Sequence, residues 1–67
     1  MKVTLKAARI NKGMTQRQAA KMLRISAEAL GNYENGKTFP AVPVIKRIEN
    51  VYGVCYDDLI FLPSDTV

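Results

Sequence analysis

The sequence predicts an all-α fold of five short helices, and three observations predict it. Apolar residues recur three and four apart, as on one face of a helix. Threonine or serine opens three of these runs, at Thr4, Thr15 and Ser26, and glycine closes three, at Gly13, Gly36 and Gly53. The prolines fall where helices tolerate them: Pro40 in a loop, Pro43 in a first turn and Pro63 after a last one.

Each element follows from its own signals. Thr4 caps a first helix from about Leu5 to Lys12, with Leu5 and Ala8 on one face and Gly13 as a left-handed stop. Thr15 and Gln18 form a capping box that opens the second helix, with Met14 and Ala19 as its apolar staple. Ala19, Ala20, Met22 and Leu23 are its expected inward face, and the small Ala20 lets another helix come close. Ser26 caps a third helix that runs to about Asn35, and Glu28 suits the positive end of its dipole. After the loop at Phe39–Pro40, Pro43 starts a fourth helix carrying Val44, Ile45, Ile48, Val51 and Tyr52, and Gly53 stops it. A fifth, from about Tyr56 to Leu62, opens on Asp57 and Asp58 and ends at Pro63. Residues 64–67 read as a frayed tail.

With 67 residues the chain is expected to be one domain over 1–67. A chain this short buries about 60% of its unfolded surface, so its helices must pack well or gain a partner. One cysteine, Cys55, excludes an internal disulfide, and the absence of histidine argues against a structural zinc site. Cys55 reads as a half-buried small residue rather than a redox switch. Asp57 and Asp58 have no neighbouring ligand types and read as helix-start charges. Lys2 and Lys6 precede no continuous apolar run, and no stretch nears the length that spans a bilayer. The expected location is cytoplasmic, without membrane contact.

The net charge is +4, and its distribution is uneven. Residues 1–27 hold seven cations and no acid, whereas residues 28–67 hold three cations against six acids. One end of the chain can therefore face a polyanion. Such an imbalance is also what a solvated basic face looks like, so charge alone does not select nucleic acid.

The segment from Thr15 to Lys37 is more specific. Two short capped helices are joined by Leu23-Arg24-Ile25-Ser26, a connection so brief that they must cross at a large angle. In that arrangement the second helix projects and fits the DNA major groove. Leu5-Lys6-Ala7-Ala8-Arg9, Gly13-Met14-Thr15-Gln16, Ala19-Ala20, Leu23, Ile25-Ser26, Tyr33-Glu34-Asn35-Gly36-Lys37, Pro40 and Tyr52-Gly53-Val54 carry a resemblance. With these residues the chain resembles the phage-repressor and Cro-type (Xre-like) helix-turn-helix family over about residues 3–62.

The resemblance implies a five-helix lambda-repressor-like fold and a sequence-specific, Cro-like repressor that binds a palindromic operator as a homodimer. It implies that Gln16 binds a phosphate and buttresses the recognition helix. Arg17 and Arg24, and Asn35, Lys37 and Thr38 past the third helix, are the expected further backbone contacts. Ala27, Glu28, Gly31 and Asn32 are expected on the exposed, base-contacting face. Asn32 suits adenine, Glu28 cytosine, and the Ala27 methyl a thymine methyl. Arg9 and Glu34 match positions that pair in relatives, which would also hold Arg9 near a phosphate.

Two positions depart from the family pattern. Arg24 stands where glycine is common, and a left-handed backbone there would strain it, so a slightly different turn is expected. Gly31 lies inside the recognition helix and offers no side chain to a base. Ile60, Phe61 and Leu62 are more apolar than a last helix needs and are the expected dimer contact, unless they close the core. Tyr33 and Tyr52 read as core. Double-stranded DNA and a second copy of the chain are the expected partners, with no cofactor and no small-molecule substrate. Two other readings remain open: an antitoxin-type regulator that also binds a protein, and an interaction module that has lost DNA binding. No nucleophile–base pair, phosphate loop or metal cluster points to an enzyme.

Overall fold

The computed structural model describes residues 2–61. Four α-helices and a two-stranded parallel ladder follow in the order β1 (Val3–Thr4), α1 (Leu5–Asn11), α2 (Gln16–Leu23), α3 (Ala27–Asn35), α4 (Val42–Tyr52), a 3₁₀ turn (Tyr56–Asp58) and β2 (Leu59–Ile60). The helix starts stand where the local chemistry puts them. The Thr4, Thr15 and Ser26 hydroxyls accept from the amides of Ala7, Gln18 and Ala29. Gln18 Oε1 accepts from the Thr15 amide at 2.9 Å, which completes the capping box. Pro43 sits in the first turn of α4, where its missing N–H costs no hydrogen bond.

The expected fifth helix is not α-helical. Tyr56–Asp58 make a single 3₁₀ turn, and Leu59–Ile60 then run extended beside Val3–Thr4, pairing Val3 with Leu59 and Thr4 with Ile60. Leu59 is buried and Ile60 exposed, the period-two alternation of a strand. Leucine, isoleucine and phenylalanine in sequence suit an extended edge once a partner strand offers its backbone groups. That partner lies more than fifty residues away in the chain, so no local pattern announces it. Lys2 Nζ donates to the Asp57 carbonyl at 2.9 Å and reinforces the junction. Leu62, Pro63 and the expected tail at 64–67 lie outside the described residues.

The core gathers Leu5 and Ala8 from α1, Ala19, Ala20 and Leu23 from α2, Leu30 from α3, Val44, Ile48 and Tyr52 from α4, and Leu59 from β2. α2 packs against both α3 and α4. Met22, expected inward, is 58% exposed. The inward stripe of α2 is the i, i+1, i+4 set Ala19, Ala20 and Leu23, and Met22 falls just beyond it.

Candidate nucleic-acid interface

The turn between α2 and α3 sets the angle of everything on α3. Arg24 takes the left-handed conformation, φ 62° and ψ 41°. The amide of Ile25 donates back to the Ala20 carbonyl at 3.0 Å and that of Arg24 to Lys21 at 3.2 Å. This is a Schellman closure, with half-buried Ile25 supplying its apolar contact with the core. The turn is therefore the left-handed one, not a variant that spares Arg24. Arg47 on α4 adds a fastening that no sequence motif announces: its Nε donates to the Leu23 carbonyl at 2.8 Å. A cation at the negative end of α2 satisfies a carbonyl the helix leaves unpaired.

Leu30 and Glu34 are buried on α3, and Tyr33 and Ala27 lean against the core. Ala27 thus lies toward the inner flank rather than on a fully exposed face. Glu28 is exposed, while Gly31 and Asn32 are half-buried. Arg17 and Arg24, at opposite ends of α2, and Asn35, Lys37 and Thr38, at and past the end of α3, are all exposed. Gly36, at φ 80°, closes α3, and the Lys37 amide donates to the Asn32 carbonyl at 2.9 Å.

Behind α3 lies a charged network. Arg9 Nε donates to Glu34 Oε2 at 2.7 Å and Nη2 to Oε1 at 3.3 Å. Arg9 Nη1 donates to the Met14 carbonyl at 2.8 Å. Gln16 Nε2 donates to Glu34 Oε1 at 3.0 Å. Arg9 is 7% and Glu34 5% exposed, so the forked pair is out of water. The hydrogen bonds to Glu34 hold the Arg9 guanidinium above its ordinary range against the opposing effect of burial. Arg9 is therefore committed inside the protein, in the pair with Glu34 that the resemblance implied. Tyr52 is buried close by, and its Oη is the single buried side-chain polar atom without a hydrogen-bond partner among the described residues. Burial pushes its phenol up to about 12, with the Glu34 carboxylate adding to the rise.

Phe61, expected at a dimer contact, is half-buried and stacks within the chain, 4.7 Å from the Phe39 ring and 5.8 Å from the Tyr56 ring. Ile60 is exposed, and exposed Phe39 and Tyr56 join the apolar surface on this side. Phe39 was not legible as a partner of Phe61, because the two meet only through the closure of the chain ends. Leu62 lies outside the described residues. Among the described residues, no cluster of three or more metal-ligand types occurs, and no helix is long and apolar enough to cross a membrane.

Two capped helices joined by a tight left-handed turn, the second with its outer face free, define a helix-turn-helix protein. The family model described as Helix-turn-helix matches residues 5–59, and the chain belongs to that family. It is 36% identical over 56 residues to the SPbeta prophage-derived uncharacterized HTH-type transcriptional regulator YonR of Bacillus subtilis, covering 84% of this chain and 52% of that protein. It is 38% identical over 56 residues to the HTH-type transcriptional regulator ImmR of the same species, covering 84% and 44%. The HTH-type transcriptional activator BcrR of Enterococcus faecalis is 34% identical over 56 residues, covering 84% and 28%. The chain thus spans about half or less of the length of these relatives.

Proposed function

We propose that this protein is a sequence-specific DNA-binding transcriptional regulator, a Cro-like repressor that lays α3 in the major groove of a palindromic operator. The observation that carries the reading is α3 itself: buried on the Leu30–Glu34 side, open on the Glu28–Asn32 side, and flanked by exposed Arg17, Arg24 and Lys37. Asn32 pairs with adenine through two hydrogen bonds, Glu28 accepts from cytosine, and Ala27 touches a thymine methyl from the inner flank. Gln16, Arg17, Arg24, Asn35, Lys37 and Thr38 contact phosphates on either side. The amide of Gln16 is oriented for this by its bond to Glu34.

The regulator binds as a homodimer, with half-sites about 34–36 Å apart. Exposed Ile60, Phe39 and Tyr56 support a contact between copies on the side where Phe61 packs. Bound in this way, the protein represses by occupying DNA that polymerase needs.

Duplexes selected from random DNA test the proposal. Asn32→Ala is expected to change the selected sequence, and Gln16→Ala to weaken binding to every sequence about equally. A dimer bringing Arg17, Arg24 and Lys37 twice predicts a slope of about −5 for log affinity against log salt. A flat salt response, or no sequence selected at low salt, would rule the reading out. A monomer in sedimentation, free and on its operator, would remove the dimer alone.

A further inference from the structure

Four glycines punctuate the chain, and three of them have an evident reason. Gly13, Gly36 and Gly53 all take positive φ, between 68° and 80°, just beyond helices. Gly31 does not. It lies in the middle of the nine-residue α3, with no left-handed backbone to favour it. There glycine is a poorer helix former than alanine. Crowding does not require it either. A Cβ built on Gly31 would stand 3.7 Å from Gln16 Nε2 and 3.8 Å from Gln16 Oε1, which is ordinary van der Waals contact. Neither the backbone nor the chain's own packing needs the side chain to be missing.

What gains from the missing methyl must then lie outside the chain. Gly31 sits one turn from Glu28 and next to Asn32, half-buried beside the Gln16 carboxamide. Among the groups a base pair presents in the major groove, the one apolar projection is the thymine 5-methyl group. We infer that Gly31 is a specificity-determining residue of the DNA interface: the methyl-sized space at its Cα receives the 5-methyl of a thymine. The inference rests on the DNA-binding reading above. It makes Gly31 read a base through shape, and a Cβ there competes for the volume the thymine methyl fills.

The experiment uses the operator that the wild-type protein selects from random duplex DNA, with each thymine of a half-site replaced in turn by deoxyuridine. Loss of one buried methyl is expected to weaken wild-type binding about fourfold, at one thymine position. Gly31→Ala is expected to bind the thymine operator about tenfold more weakly and to recover most of that loss on deoxyuridine at the same position. Its melting temperature is expected to rise by about 4–8 °C, which shows that the weaker binding is not unfolding. In a Gln16→Ala background the Gly31→Ala penalty is expected to persist. A Gly31→Ala protein that binds as tightly as wild type overturns the inference. So does a penalty unmoved by removing the thymine methyl, or one abolished by Gln16→Ala, since the glycine would then act through the carboxamide. A wild type that selects no DNA overturns the functional reading and this inference with it.

Discussion

Arg24 and Tyr52 each hold a residue type that the local structure alone would not choose. The left-handed backbone at Arg24 costs an L-residue with a Cβ about 1–2 kcal/mol, and glycine would avoid it. Glycine loses more backbone entropy on folding, so Arg24→Gly is expected to stabilise the protein by roughly 0.5–1 kcal/mol net, read in thermal melts. On the DNA-binding proposal, the same change is expected to reduce the salt slope by about 1 per bound chain, because an exposed cation is lost. Tyr52 buries a hydroxyl without a partner. An unfolded tyrosine ionises near pH 10, whereas burial raises this one to about 12. Between those values the folded chain keeps a proton that the unfolded chain releases. The contribution of Tyr52 is thus intact below pH 10 and declines as pH rises through 12, by about 2–3 kcal/mol in all. Tyr52→Phe is expected to flatten that alkaline loss in urea titrations run from pH 9 to 12.

At the level of elements, α1, α2 and α3 meet on one carboxylate. Glu34 accepts from Arg9 of α1 and from Gln16 of α2 while sitting at the end of α3. A displacement of any of the three helices breaks a bond to a buried charge, so the network fixes their relative placement. Removing one partner strands the other in a low-dielectric setting. Arg9→Met is expected to cost about 3–5 kcal/mol by denaturant unfolding. Arg9→Met combined with Glu34→Leu is expected to cost much less, because no charge is then left unpaired. Equal losses in the single and double variants would mean that the arginine matters through packing rather than charge.

At the level of the molecule, the two ends of the described chain close on each other. β1 and β2 are two residues each, far too short to persist alone, and their pairing depends on α1–α4 lying between them. Leu59 ties this closure to the core at 7% exposure. Leu59→Ala is expected to cost about 2–4 kcal/mol, a large part of what so small a protein has, and to lower its melting temperature by well over 8 °C. A change below about 1 kcal/mol would show that the ladder is an ornament of the fold rather than a part of it. The cations divide in the same global way. Arg9 and Arg47 are used internally, while Arg17, Lys21, Arg24 and Lys37 stay exposed.

The local features were readable from the chain itself. Caps at Thr4, Thr15 and Ser26, left-handed stops at Gly36 and Gly53, and the short joint at Leu23–Ser26 depend on groups within a few residues of one another. These determine four helices and a helix-turn-helix, and they identify α3 as the candidate site. Tertiary structure decided the rest. A fifth helix became a strand because its backbone partners come from the first residues of the chain. Met22 turned outward because the core covers a narrower arc of α2 than apolar spacing alone defines, and Ala27 leans inward because the first turn of α3 packs against the core. The Arg9–Glu34 pair was implied by the resemblance, but the Met14 carbonyl that also accepts from Arg9 is seen only in the folded chain. Hydrogen-bond donors and charges find their partners in space, and distance along the chain does not reveal which ones those are.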